Sequence, residues 1–173
     1  MDTSILQPGD FIFFSGKSFV SRGIKMFTKS KWSHVAMYVG GGKGYIIEAT
    51  AAGVEKNELE PLLRHTDAVA VARIPGLTVE DMERMKDKAY SMLGDKYDFW
   101  QLITFSLYFS FRKIGIIWPG FIGDNAGQVV CSALCAMCAL VIPVKFAKSP
   151  KQVAPQTIYE SDKVSIIFEQ EFK

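Results

Sequence analysis

Three closely spaced cysteines near the end of this 173-residue chain are the side chains best suited to covalent chemistry. They lie in "GQVVCSALCAMCALVIP", at positions 127–143, as Cys131, Cys135 and Cys138. Thiolates serve either as nucleophiles or as metal ligands. The C-x-x-x-C-x-x-C spacing is compatible with an iron–sulfur cluster. The segment therefore holds either three cluster ligands, or one nucleophile and two packing residues.

The surroundings of the cysteines favour the nucleophile. Their Ala/Leu-rich sequence predicts a helix from about Cys131 to Pro143. Cys135 and Cys138 follow Cys131 by four and seven residues, so they share its helix face, where small thiols pack as hydrophobes. Radical enzymes carry this spacing in a loop early in a long barrel, whereas only 35 residues follow Cys138 here. We therefore expect no metal or cluster, and a cluster would be visible as a brown protein.

A histidine and a glutamate on a predicted hairpin are suitable partners for a thiol. "SHVAMYV" and "YIIEAT" predict two strands joined by the glycine-rich turn "GGGKG". A hairpin centred on Gly41 places His34 directly opposite Glu48, with Cβ atoms roughly 5 Å apart. A slip of one residue would separate the two side chains onto opposite faces of the sheet. The pairing therefore depends on the register.

These residues together predict a nucleophile triad. A carboxylate behind a histidine fixes the imidazole tautomer and stabilises the imidazolium. The N-terminus of a helix and a neighbouring His⁺ both favour the thiolate form of Cys131. The backbone N–H of Cys131 is expected to donate to an oxyanion. The second histidine, His65, has no such partners in the sequence and is expected at the surface.

The remaining elements predict one α+β domain spanning residues 1–173. "PGDFIFF" predicts a turn, held by Asp10, and then a strand. Two further strands are predicted in "AVAVARI" and "KVSIIFEQEF". "TVEDMERMKDKAYSMLG" predicts a helix with a capping box formed by Thr78 and Asp81. Strands early in the chain and helices later are typical of the α+β class.

Composition excludes several other classes of protein. The net charge of +2 is too small to indicate nucleic-acid binding. Three clustered cysteines do not form a disulfide framework and favour a reducing compartment. The apolar stretch 99–123 is interrupted by Arg112, Lys113 and Pro119, so it is too short to span a bilayer. With no secretory signal recognised, we expect a cytoplasmic protein, and contact of residues 99–123 with a membrane surface is the alternative.

Several motifs resemble one family of enzymes. "LQPGDFIFF" followed by "SHVAMYVGGGKGYIIEA" resembles the central block of the NlpC-type cysteine peptidases of bacterial cell walls. In those enzymes a cysteine helix usually comes before this block, whereas here "VVCSAL" follows it. That order resembles the circularly permuted, YiiX-like branch of the superfamily. Its Gly-x-x-Tyr-Asp element is matched by "GDKYD", and its C-terminal Ser-Pro segment resembles "SPKQVAPQTIYES".

The resemblance implies a permuted papain-like fold, with an antiparallel sheet packed against helices. It also implies a cysteine hydrolase that cleaves an amide bond through a thioester, in a short peptide or muropeptide. By the matching motifs, the resemblance assigns the catalytic roles to Cys131, His34 and Glu48. Tyr97 and Ser132 are expected to contact the substrate or the oxyanion.

Two alternatives keep the same residues but change the function. Lecithin:retinol acyltransferase-like enzymes belong to the permuted superfamily and move fatty acyl groups through the same cysteine, so residues 99–123 would then face lipid. Release of fatty acid from phospholipid, compared with release of amine from peptides, separates the two activities. A binding module with an inactive triad is the second alternative. Ordinary thiol reactivity at Cys131 would favour that reading.

Overall fold

The core of the structure is one antiparallel sheet. The computed structural model describes residues 1–18, 21–22, 25, 30–50, 52–95, 130–150 and 153–172. Within these residues six strands pair in the order β4–β3–β2–β1–β5–β6. The strands are β1 (Phe11–Gly16), β2 (His34–Gly40), β3 (Tyr45–Thr50), β4 (Gly53–Glu58), β5 (Thr66–Arg73) and β6 (Ser165–Glu171).

Four α-helices and one 3₁₀ turn (Thr3–Ile5) whose bounds the structure describes accompany the sheet. The helices are α1 (Leu59–Leu63), α2 (Val79–Ser91), α3 (Val130–Leu140) and α4 (Pro155–Tyr159). Thr78 caps α2, and both hydrogen bonds of the predicted capping box with Asp81 are present. The α+β class predicted from the sequence is therefore confirmed. Helices α1 and α4 and strand β4 were not predicted from the sequence. Strand β4 has the sequence "GVEKNE", which is poor in the aromatic and β-branched residues that indicate strands.

The sheet separates two hydrophobic clusters, because side chains alternate between its faces. One face carries Phe11, Phe13, Val35 and Met37, which belong to the same cluster as buried residues of α2, α3 and α4. The opposite face carries Ile12, Phe14, Ala36 and Tyr38, in a cluster that includes Leu59 of α1. The helix that bears Cys131 therefore packs on the first face.

Asp10 holds the turn before β1, as predicted. Its side chain is almost completely buried. Oδ2 accepts a hydrogen bond from the Gln7 backbone N–H at 2.8 Å, and Arg73 donates to both carboxylate oxygens at 2.7 Å. This bidentate pair ties the start of β1 to the end of β5.

His65 is exposed at a turn, as predicted. No helix in the described part of the chain combines the length and hydropathy needed to cross a bilayer. The apolar stretch 99–123 lies outside the described residues.

Candidate active site

His34 and Glu48 are in direct contact. The distance from His34 Nε2 to Glu48 Oε2 is 2.6 Å. The predicted register, however, was wrong. Strand β2 pairs with β3 through Met37↔Ile47 and Tyr38↔Ile46, two residues away from a hairpin centred on Gly41. The turn occupies residues 41–44, and the ladder is irregular between Tyr38 and Gly40, which moves the centre of the hairpin.

The contact survives this error because the shift is an even number of residues. Continuing the observed register puts Thr50 opposite His34, so Glu48 is a diagonal neighbour on the same face. Diagonal neighbours lie about 7–8 Å apart at the backbone, within reach of a glutamate and an imidazole. A shift of one residue would have moved Glu48 to the other face.

Asn57 on β4 completes the surroundings of Glu48 and was missed by the sequence analysis. Its side-chain Nδ2 donates to Glu48 Oε1 at 2.9 Å. Asn57 pairs with Ile46, and Glu48 pairs with Glu55, so Asn57 approaches Glu48 diagonally. No motif marked this residue, because β4 itself was not predicted. The two oxygens of the Glu48 carboxylate therefore have different partners, His34 and Asn57.

Cys131 lies in the first turn of α3, one residue after the helix begins. It is in hydrogen-bonding contact with the His34 side chain, and the backbone N–H groups of Val35 and Ser132 also face its sulfur. The paired residues of β2 and β3 reach only as far as Met37↔Ile47, whereas β1 still pairs with His34. Val35 therefore lies beyond the last β2–β3 pair, where its N–H can turn toward the thiol.

The two nitrogens of His34 have separate partners. Because Nε2 is bonded to Glu48, the nitrogen that faces Cys131 is Nδ1. The Phe14 ring lies beside the imidazole, with centroids 5.9 Å apart. The His34 side chain is 24% exposed, whereas Cys131 is 6% exposed. The histidine is therefore more accessible to solvent than the sulfur.

The charges at this site favour a thiolate–imidazolium pair. Burial raises the pKa of the Cys131 thiol, but the bond and charge of His34 outweigh burial and bring that pKa below its ordinary value. Burial lowers the pKa of His34, but Cys131 and Glu48 together hold it above its ordinary value. Burial also raises the pKa of Glu48, yet His34 and Asn57 keep it below its usual range.

The other predicted contact residues are placed as follows. The Ser132 hydroxyl is fully buried and donates to the backbone carbonyl of Val153, which ties α3 to the segment before α4. The part of Ser132 that faces the thiol is its backbone N–H. Tyr97 lies outside the described residues.

Cys135 and Cys138 belong to the hydrophobic cluster under α3. Both are completely buried. Burial raises the pKa of Cys135 well above its ordinary value and that of Cys138 to about 12, so neither is a ready thiolate. In the part of the chain that the structure describes, no group of three or more His, Cys, Asp or Glu side chains is arranged to bind a metal ion. The geometry favours one nucleophile and two packing residues.

Comparison with known families identifies the family of this chain. The model of the permuted papain-like amidase enzymes, the YaeF/YiiX or C92 family, matches residues 5–118. The chain belongs to this family. The match confirms the resemblance and the permuted papain-like fold predicted from the motifs. The matched region includes His34 and Glu48 but ends before Cys131, so the assignment of that cysteine depends on the geometry described above.

Two curated relatives of this chain come from Escherichia coli strain K12. The chain is 35% identical over 96 residues to the probable lipoprotein peptidase YaeF, and 33% identical over 97 residues to the uncharacterized protein YiiX. These alignments cover 51% and 54% of the chain, and 34% and 48% of the relatives. The alignments thus span less than half the length of each curated relative.

A solved structure shares the fold. The crystal structure of the metalloprotein YiiX from Escherichia coli O157:H7 superposes with a TM-score of 0.60 at 20% sequence identity. The superposition covers 95% of this chain and 98% of the other. At this identity the similarity concerns the fold alone.

Proposed function

We propose that this permuted papain-like amidase hydrolyses an amide bond with Cys131 as nucleophile, His34 as general acid–base and Glu48 as the residue that orients the histidine. The observation that carries the proposal is the continuous contact from Cys131 through His34 to Glu48. A cysteine next to an imidazolium and within the first turn of a helix is a nucleophile at neutral pH.

Acylation follows from the positions of the protons. The Cys131 thiolate attacks the carbonyl carbon, and the oxyanion develops near the first turn of α3, where the Cys131 backbone N–H is the expected donor. His34 gives the Nδ1 proton to the leaving amine as the C–N bond breaks. The products of this step are a free amine and a thioester on Cys131.

In deacylation the same residues exchange roles, since His34 acts as the base and Cys131 is the leaving group. Neutral His34 takes a proton from water through Nδ1, and the resulting hydroxide attacks the thioester carbon. The C–S bond breaks, the acid leaves, and the thiolate–imidazolium pair forms again. Throughout, Glu48 accepts the Nε2–H bond and stabilises the imidazolium form.

The proposed substrate is a short peptide or a muropeptide. The support comes from the family, whose members are described as amidases, and from the relative YaeF, described as a probable lipoprotein peptidase. Cytoplasmic location stays part of the proposal, and muropeptide fragments taken up by the cell would then be the accessible substrates. Cell fractionation followed by mass spectrometry tests the location.

The first test follows the reactivity of Cys131 with pH. Iodoacetamide labelling with mass spectrometry is run on the native chain, on His34→Ala and on the control Cys138→Ala. Since the pKa of Cys131 is lowered, we expect it to react at a pH below the ~8.5 typical of a free thiol. In His34→Ala burial dominates, so fast labelling moves to higher pH. Cys138→Ala should keep the native profile because Cys138 is buried away from the histidine.

A second measurement separates hydrolysis from the alternatives. Native chain and Cys131→Ala are given peptide amides, muropeptides and phospholipid vesicles, and released amine and fatty acid are quantified. Amine release that depends on Cys131 supports the amidase. Fatty acid release from vesicles would instead support the acyltransferase-like alternative. If Cys131 is labelled slowly, and only near pH 8.5, and no substrate gives a product, the result would support the binding module with an inactive triad.

A further inference from the structure

We propose that Asn57 is a positioning residue that holds the Glu48 carboxylate ionised and oriented toward His34. The inference rests on the proposed function and adds a fourth member to its triad. It concerns a residue on β4, a strand that carries none of the family motifs recognised in the sequence.

The direction of the contact is fixed by chemistry. A carboxylate can only accept hydrogen bonds, so the contact at 2.9 Å must be Asn57 Nδ2–H donating to Glu48 Oε1. Oε2 then remains for the Nε2–H of His34 at 2.6 Å. With hydrogen on Nε2, the neutral imidazole presents its lone pair at Nδ1, toward Cys131. Glu48 thus accepts from Asn57 at one oxygen and from His34 at the other, and the basic nitrogen of His34 is left on the side where the chemistry occurs.

The position of Asn57 also suits a buried carboxylate. Glu48 is 4% exposed, and the residue directly across from it on β4 is a second acid, Glu55. Glu55 is occupied by the Thr50 hydroxyl, which donates to it at 2.7 Å. Asn57 supplies a neutral donor on the diagonal, so Glu48 stays ionised and its carboxylate cannot rotate freely.

The test compares substitutions of Asn57 that have similar size. Asn57→Leu removes the donor, and Asn57→Asp sets one acceptor against another. For both we expect kcat for the amide substrate to fall about tenfold or more, with KM little changed, since a hydrogen bond to a charged group is lost. Labelling of Cys131 by iodoacetamide should also shift to higher pH, because a less stable imidazolium supports the thiolate less well.

A double variant tests direction separately from packing. In Glu48→Gln, Asn57 attracts the introduced amide oxygen, which turns the introduced NH₂ toward Nε2 of His34. Adding Asn57→Asp supplies an acceptor for that NH₂, so the amide oxygen faces the Nε2–H again. We therefore expect Glu48→Gln combined with Asn57→Asp to be faster than Glu48→Gln alone.

A neighbouring residue provides the control. The Lys56 side chain lies on the other face of β4, over the rings of Tyr45 and Tyr90, with its Nζ 4.4 and 5.3 Å from their centroids. Lys56→Gln should keep the native kcat and labelling profile.

The outcomes distinguish this inference from the proposed function. If Asn57→Leu and Asn57→Asp keep the native kcat and labelling profile, or only lower the unfolding midpoint, the positioning role is wrong while the triad stands. A double variant no faster than Glu48→Gln also overturns it. If the native chain itself shows no fast labelling of Cys131 below pH 8.5, the proposed function fails, and the role of Asn57 fails with it.

Discussion

Replacing Glu48 by glutamine, compared with replacing it by alanine, tests how the carboxylate acts. The Nε2–Oε2 distance of 2.6 Å is that of a charge-assisted hydrogen bond. Such bonds to charged groups contribute about 1.5–3 kcal/mol. Because each 1.36 kcal/mol corresponds to a factor of ten, removing the bond in Glu48→Ala should lower kcat/KM by about 10- to 150-fold.

Glu48→Gln should be the more damaging change, although it preserves size. Asn57 donates toward one end of the side chain, so the introduced oxygen turns to Asn57 and the introduced NH₂ turns to His34. A donor then faces Nε2, which forces the neutral imidazole to carry its hydrogen on Nδ1. His34 can then no longer accept a proton from Cys131 or water at Nδ1. We therefore expect kcat/KM below that of Glu48→Ala.

The assay is release of amine from a peptide amide between pH 5 and 10, with kcat and KM determined separately. Glu55→Gln is the matched control, because Glu55 lies directly opposite Glu48 but bonds to Thr50 and not to the histidine. The expected order is native and Glu55→Gln fastest, then Glu48→Ala, then Glu48→Gln. A Glu48→Gln variant that outperforms Glu48→Ala would refute the reasoning about hydrogen-bond direction.

Two further predictions concern helix α3. Cys135 and Cys138 should resist iodoacetamide at pH 7 in the folded chain and react in urea, since both are fully buried and burial raises their pKa. Labelling of either cysteine in the folded chain at pH 7 would contradict the packing role. Ser132→Ala should lower the free energy of unfolding by about 1–3 kcal/mol in urea denaturation, because the buried carbonyl of Val153 loses its donor. Ser132→Thr, which keeps a hydroxyl, serves as the comparison, and equal loss in both would point to volume and not to the hydrogen bond.

Local patterns of the sequence determined most of the fold. Short apolar runs mark β1, β2, β3, β5 and β6, and the Thr78–Asp81 capping box marks the start of α2. These signals are local, because an apolar run and a helix's first turn depend on residues close together in the chain. Strand β4 escaped detection because its residues are mostly polar, and its pairing with β3 is what makes it a strand.

The sequence by itself also determined which residues could form the site. Residue type and family motifs pointed to Cys131, His34 and Glu48, and the two-residue period of a strand put His34 and Glu48 on one face even though the predicted register was wrong. An error of two residues preserves the face, which is why the pairing survived.

Only the tertiary structure decided how those residues meet. The separation of β2 from β3 beyond Met37, the packing of α3 against the sheet and the diagonal approach of Asn57 join residues far apart in the chain. The same contacts assign Nε2 of His34 to Glu48 and Nδ1 to Cys131. No local pattern encodes these features, because they depend on strand register and on the placement of a helix that follows strand β5 by many residues.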